Sequence, residues 1–584
     1  MGDVYSLGKI DKALKDYSEV EGKKLIIVDE AHRFRNTETE VYKHLWLLCQ
    51  GNYVLLLTAT PFNNTPEDIE SLLKLFTTPK KSTLNHIDNL SEEFKSLIKK
   101  YKDLKKTSKT EKMENIKEKA DEIAKRIRYI ISPITIRRTR EDLKKTKRYK
   151  EDLERQGIDF PYVNPPDVVP YSFKELDNLY IKTVEKFIES EDVQCSNCFK
   201  AARYKTISYI SDDDYRGDIA VKYTGAKTRK EAVAFIEQSQ KNLSSLIRRI
   251  FVKRFESSFG SFSKSIDDYI NSHLKIKEYY EKGKIPIYKN IGNLPSISEI
   301  ENMDEEEREE IMKKIEELAQ TNELIWVDSK KISKTFIKDL ENDIQILKEI
   351  KNNWAPHLNE PHKYDYKLKE LIKILKDKIS KNEKVIIFSE YSDTVDYLAE
   401  QLKKENFRII KYDSSCSDSL KEEIKNNFDA SKQEHFQKND YDILITTDVL
   451  SEGINLHRAN NIINYDIPYN PTRVIQRIGR INRVSKTKLK DIFIHNFFPT
   501  KIGEGHTNIK NISTLKMYMI HFLLGEDAQY LTTDEEIKSF FYDEFKKSVY
   551  FEEESWDVKY RNILYDVEQN HHIEKPFPFH IGPK

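Results

Sequence analysis

Residues 441–483 read YDILITTDVLSEGINLHRANNIINYDIPYNPTRVIQRIGRINR. Two short apolar runs, Ile443–Ile445 and Ile462 with Ile463, are bounded by polar residues and have the pattern of strands buried inside a sheet. After them, Asn470 followed by Pro471 marks a helix start, a side-chain cap with proline in the first turn. On a helical wheel drawn from Pro471, Arg473, Arg477, Arg480 and Arg483 gather on one side, and Val474, Ile475, Ile478 and Ile481 on the other. The apolar side is expected to pack. Like charges at spacings of three and four repel one another, and no acidic residue lies between Arg473 and Lys490 to relieve them. The stripe therefore predicts an anion lying against it.

Working outward, Val385–Phe388 and Ile492–Ile494 have the same short apolar form, separated from the first runs by helical stretches, which implies a parallel sheet. Ser389, Thr446 and Thr447 then fall at strand ends. Near the start, Lys23–Val28 (KKLIIV) runs directly into Asp29, Glu30, Ala31 and His32. An unbroken apolar run bounded by charge predicts a strand buried on both faces, and ligands of such sheets lie beyond the carboxyl ends of the strands. Paired carboxylates there can divide labour, Asp29 holding Mg²⁺ and Glu30 orienting a water for attack on phosphorus. His32 is placed to hydrogen-bond neighbouring segments.

Taken in order, these segments resemble superfamily 2 helicases, and within them the Swi/Snf-type DNA-dependent ATPases. Asp-Glu-Ala-His after a strand resembles the Walker B or DEAH box; Thr58-Ala59-Thr60 resembles motif III; Ile136–Leu143 (IRRTREDL) resembles the arginine-rich signature after the first lobe. Thr446–Leu456 resembles motif V, and Gln476–Arg483 (QRIGRINR) resembles motif VI. The resemblance implies an α/β fold of two RecA-like parallel-sheet lobes, the first incomplete, with large helical insertions, and ATP with Mg²⁺ in the cleft between the lobes. By that match Glu30, Arg480 and Arg483 are catalytic, the arginines offsetting charge on the γ-phosphate. Asp29, His32, Gly453 and Gln476 would bind the nucleotide and its metal, with Asn455 bordering the site. Thr58, Thr60 and Asp448 would couple the site to movement, although Asp448 could equally cap a helix. Ser389, Thr446, Thr447, Arg137 and Arg138 would meet a nucleic-acid backbone. Gln476 stands where DEAD-box RNA helicases have histidine, which leans the reading toward DNA. The resemblance implies an ATP-dependent helicase or translocase, and relatives with a similar NYDIPYNPTRVIQRIGR segment suggest restriction or defence.

One element of that family's pattern does not occur. No GxxxxGK[ST] phosphate loop is found; Gly8-Lys9-Ile10 lacks both the earlier glycine and the hydroxyl residue. The first lobe is thus expected to be incomplete, with a separately encoded N-terminal half or a defence-system subunit as partner. The alternative is a catalytically incomplete, DNA-binding subunit.

The 584 residues exceed one core, and equal counts of 98 basic and 98 acidic residues remove any argument from overall basicity. Local clusters must serve instead: Arg137–Lys150 carries eight basic and two acidic residues, and Arg473–Lys490 seven basic and none acidic. Leu246–Ser258 interleaves basic and apolar residues, as a backbone-binding segment or a core helix would. Four cysteines make no disulfide framework, and Cys195-Ser-Asn-Cys198 lacks a second pair of zinc ligands. With no apolar run long enough to span a bilayer, the expectation is a cytoplasmic protein without membrane contact. The expected domains are residues 1–78 (partial first lobe), 79–140 (helical protrusion), 141–173 (connector with four prolines in FPYVNPPDVVPYSF), 174–363 (helical insertion), 364–500 (second lobe) and 501–584 (C-terminal extension).

Overall fold

The structure, a computed structural model, describes residues 15, 22–37, 39–58, 62, 65–80, 82, 84, 87–107, 113–136, 143, 145–188, 198–224, 228–288, 324–413, 416–451, 454–468, 470–483 and 489–500. Thr60, Arg137, Arg138, Cys195, Gly453 and the extension 501–584 lie outside them.

At the N-terminal side, strands β1 (Leu25–Val28) and β2 (Tyr53–Leu56) pair in parallel around helix α1 (Glu40–Cys49). Thr39 caps α1 by accepting from the Tyr42 amide at 3.2 Å, and Tyr42, Leu45 and Cys49 pack beneath Val28. The expectation that β1 is buried on both faces is corrected here: Leu25 is 60% and Ile27 49% exposed. The reason is physical: among the described residues only one face of this pair is covered by a helix, so strand alternation puts every second residue in solvent.

Helix α2 (Pro66–Lys74) starts at a capping box in which the Thr65 amide donates to Asp68 at 3.0 Å. It leads into a helical hairpin, α3 (Leu90–Thr107) and α4 (Met113–Ile131), within residues 79–140. Leu90, Phe94, Leu97, Tyr101 and Leu104 recur at helical spacing and close against Ala120, Ile123, Ala124 and Ile127.

Most of the middle of the chain is helical. Helices α5 (Asp177–Ile188), α6 (Arg229–Ser257), α7 (Phe259–Glu281) and α8 (Lys334–Leu358) form an arm that also includes an antiparallel strand pair, β5 (Lys284–Tyr288) with β6 (Leu324–Asp328). Its core is aromatic: Trp354 is wholly buried, lies edge-on to Phe255, and donates its indole N–H to Thr183 Oγ1 at 2.9 Å. Arg248 and Lys253 of α6 are buried and Arg254 is half-buried, with Arg248 donating to the Phe199 carbonyl at 3.0 Å. The core-helix alternative thus accounts for these three. Cys198 is disulfide-bonded, which the sequence reading did not foresee.

The second lobe is a seven-stranded sheet, every pairing in it among the described residues parallel. Its order is β3 (Tyr162–Val163), β11 (Asp491–Phe497), β10 (Asn461–Asn464), β7 (Val385–Phe388), β9 (Ile443–Thr446), β8 (Ile409–Tyr412), with β4 (Asp167–Val169) also on β11. Helices α9 (Tyr366–Ser380), α10 (Ser392–Lys404) and α11 (Asp418–Phe428) make crossovers, and α12 (Pro471–Ile481) carries Arg473, Arg477 and Arg480; the helix ends at its Asn482 cap, so Arg483, expected on the same helical stripe, lies just beyond it. All residues of β7, β9 and β10 are buried, alternate ones facing two separate cores. The proline-rich connector adds β3 and β4 to this sheet. No helix of the described residues is long and apolar enough to cross a membrane.

Replacing Trp354 with Ala is expected to cost about 3–5 kcal/mol, since it leaves a ring-sized cavity and an unpaired Thr183. Urea unfolding measures this; a loss below about 1 kcal/mol would contradict the packing described.

Candidate ATP site at the interlobe cleft

Asp29 and Glu30 form the turn at the carboxyl end of β1. Asp29 is exposed, and one of its oxygens accepts the Glu30 amide at 2.9 Å. Glu30 has φ 49°, ψ 46°, a left-handed conformation unusual for a residue with a Cβ, so this turn holds backbone strain of the kind met at functional sites. Ala31 anchors the turn by donating its amide to the Leu57 carbonyl at 2.9 Å.

His32 is buried where three segments meet. Its Nδ1 lies 3.0 Å from Thr58 Oγ1 and 3.4 Å from Glu30 Oε2, and its Nε2 lies 3.4 Å from Gln476 Nε2. With the Gln476 amide nitrogen as donor, Nε2 would accept and Nδ1 would carry the ring proton toward Thr58 and Glu30. The structure thus brings together Glu30, His32, Thr58 and Gln476 from both lobes. Ile475, the neighbour of Gln476, packs at once on the second-lobe core and on the protrusion core.

The arginine stripe divides in two, which corrects the expectation of one anion for all four. Arg477 is wholly buried and grips Asp448 with two bonds, Nε to Oδ1 at 2.5 Å and Nη2 to Oδ2 at 2.9 Å. Its Nη1 donates to Asn464 Oδ1 at 2.9 Å, and Arg473 Nη1 reaches Asp448 Oδ2 at 3.1 Å. Burial raises the Asp448 carboxyl, but the charges of Arg477 and Arg473 and the bonds they donate outweigh it and hold it below the usual value. The anion for Arg473 and Arg477 is therefore internal, 25 and 29 residues upstream in the chain.

Arg480 and Arg483 are different. Arg480 is 8% exposed, and its Nε and that of Arg483 find no hydrogen-bond acceptor among the described residues. Burial, with repulsion from Arg483, pulls the Arg480 guanidinium down to about 10, and the Glu30 carboxylate is the attraction that opposes this. A buried cation without a bonded counter-charge is costly unless a ligand supplies one. Both lobes converge at this point: Arg480 of α12 is attracted by the Glu30 carboxylate just past the end of β1.

At the other strand ends, Ser389 is buried and donates to Asp466 Oδ2 at 2.7 Å, and Thr446 is buried with its hydroxyl on the Thr447 carbonyl at 3.0 Å. Thr447 Oγ1 is buried without a partner among the described residues. In this arrangement the hydroxyls assigned to a nucleic acid by resemblance are directed into the protein. Sequence reasoning missed Asn464 and Asp466, which hold Arg477 and Ser389. Their position next to β10 and just ahead of the Asn470 cap was the available signal.

Residues 4–156 match the SNF2-related domain and residues 366–485 the helicase conserved C-terminal domain. In these two stretches the chain is similar to SNF2-type helicases. Among curated relatives, it is 33% identical over 151 residues to the uncharacterized ATP-dependent helicase YqhH of Bacillus subtilis, covering 26% of this chain and 25% of that one. It is 30% identical over 140 residues to the ATP-dependent RNA helicase FAL1 of Candida albicans, covering 22% and 33%. The chain thus spans about a quarter to a third of the length of these relatives. A solved structure of the Hef helicase domain of Pyrococcus furiosus matches at TM-score 0.33 with 13% identity, covering 85% of this chain and 75% of that one; the fold described above rests on the sheet pairings alone.

Replacing Asp448 with Ala strands Arg477 without its counter-charge and is expected to cost about 3–5 kcal/mol by urea unfolding at neutral pH. Because the folded carboxyl titrates below its unfolded value, this stabilisation is complete above the ordinary carboxylate range and is lost on acidification through the lowered folded value. The difference between wild type and variant should therefore shrink in acid; a pH-independent difference would contradict the ion pair.

Proposed function

We propose that this protein is an ATP-driven translocase on nucleic acid, DNA in preference to RNA, serving restriction or defence. What supports the reading is Arg480: a buried cation on the second lobe whose Nε has no hydrogen-bond partner among the described residues and which is attracted by Glu30 at the end of a first-lobe strand. A γ-phosphate between the two would supply the missing charge. Glu30 would orient the attacking water, and Arg480 with Arg483 would stabilise charge developing on the transferred phosphoryl group.

The donor set fits Mg²⁺. Asp29 is an exposed carboxylate with one oxygen engaged by the Glu30 amide and the other without a protein donor among the described residues. No cluster of three or more metal-ligating side chains occurs among the described residues. That suits an ion that keeps several waters and takes the rest of its ligands from substrate phosphates. When bound, magnesium would neutralise phosphate charge; the chain's part is to hold it through Asp29. His32 would report occupancy of the site, since the same ring touches Glu30, Thr58 and Gln476 across the cleft.

Movement along nucleic acid would follow from closing and reopening this cleft, with the backbone held by phosphate contacts. Gln476 in place of histidine supports DNA, as does the SNF2-related match. Thr60, Gly453, Arg137 and Arg138 keep the roles the resemblance gives them as part of this proposal.

The test is nucleic-acid-stimulated ATP hydrolysis, with duplex DNA and RNA compared. Hydrolysis stimulated by DNA is expected, with Arg480→Ala lowering kcat about 10³-fold while DNA affinity is kept. DNA binding should weaken steeply and linearly in log–log form with salt. DNA binding with no hydrolysis would instead make the protein a nucleic-acid-binding subunit, and stimulation by RNA alone would overturn the DNA preference.

A further inference from the structure

Helices α6 and α7 of the arm do not run on as one. Ser258 between them is extended (φ −160°, ψ 161°) and caps α7 by accepting the Ser261 amide at 3.0 Å. The corner is pushed against the second lobe at the carboxyl ends of β7 and β10. Ser257, wholly buried, donates to Asp466 Oδ2 at 2.7 Å and lies 2.7 Å from Thr394 Oγ1; Ser258 lies 2.8 Å from the same hydroxyl. Lys253 pairs with Glu390, both almost fully buried, and Arg254 with Asp393. Lys367 completes the fastening by donating to the Glu256 and Ser257 carbonyls at 2.7 and 3.0 Å, where α6 ends. Seven charged or hydroxyl-bearing contacts, most of them removed from water, are costly to separate at one corner, so the arm and the second lobe form one body.

Asp466 is where that corner meets the arginine helix. Its carboxylate takes three donors: Ser257 from the arm, Ser389 at 2.7 Å, and the Glu390 amide at 2.6 Å. Its own carbonyl accepts Arg477 Nη1 at 3.4 Å. Four residues later Asn470 caps α12, accepting the Thr472 amide at 3.1 Å. The residue that receives the arm thus stands four residues ahead of the α12 cap and, together with Asp448, holds the arginine at the middle of that helix. From Arg477 the helix carries Arg480 one turn onward to the Glu30 side.

We propose that Ser257 and Asp466 are positioning residues through which the arm sets the orientation of α12, and with it Arg480. The inference rests on α12 serving the reaction proposed above, but its first readout does not need that reaction. Hydrogen exchange of the α12 amides, normalised to β7, is measured in full-length wild type, Ser257→Ala, Ser257→Thr and Thr183→Val. Thr183→Val breaks the bond to Trp354 deep in the arm and controls for general loss of arm stability. Ser257→Ala should speed α12 exchange about tenfold, Ser257→Thr should restore it, and Thr183→Val should leave the ratio at the wild-type value. Equal ratios in Ser257→Ala and Thr183→Val would overturn the proposal. If Ser257→Ala does not fold, Asp466→Asn, which keeps the shape and loses the charge, gives the same comparison. Where the wild type hydrolyses ATP, Ser257→Ala should lower kcat severalfold with KM for ATP unchanged; a raised KM at constant kcat would count against positioning. Absence of hydrolysis in wild type would remove the proposed function and leave the exchange result to decide this inference.

Discussion

The buried pair between Asp448 and Arg477 governs how the second lobe presents its charges. Arg477 lies on the inward side of α12 with no exposure at all, so its charge must be met inside the protein or the helix cannot seat. Asp448 meets it with two bonds while also holding Arg473. With those two arginines neutralised, the apolar residues Val474, Ile478 and Ile481 can close on the sheet. Only Arg480 and Arg483 are then left to act outward. The division follows from helical geometry, since residues three and four apart share a face but differ in depth as the helix inclines to the sheet.

The same logic of internal pairing extends to the arm. Basic residues that would suit a nucleic-acid surface, Lys253 and Arg254, instead bind acidic residues at the ends of second-lobe elements. The hydroxyl of Ser389 is likewise spent on Asp466. A lobe that converts so many charged and polar groups into fixed contacts is stiff, and stiffness is what a cleft needs if small changes at the nucleotide are to become movement between bodies. His32 sits at the joint, one ring bonded or apposed to groups of both lobes.

Much of this was legible in the sequence, and the parts that were not share a cause. The strands β7, β9 and β10 showed as short apolar runs because both of their faces are buried, and α12 showed through Asn470-Pro471 and its apolar stripe. The Asp29-Glu30 turn was visible from the strand before it. The partners of Arg477 were not, because a wheel compares neighbours on one helix and Asp448 comes from another element. The bond between Ser257 and Asp466 spans 209 residues, beyond any local pattern. Exposure of Leu25 and Ile27 was misjudged because an apolar run states what a strand can bury, and the surroundings decide what it does bury.

The division of the arginines is tested most directly by their own resonances. With arginine Nε labelled and signals assigned by single Arg→Lys substitutions, a non-hydrolysable ATP analogue with Mg²⁺ is titrated into the full chain. The account predicts that the Arg480 and Arg483 signals shift to saturation while those of Arg473 and Arg477 stay in place. A shift of Arg477, or none at Arg480 when the analogue is bound, would contradict it.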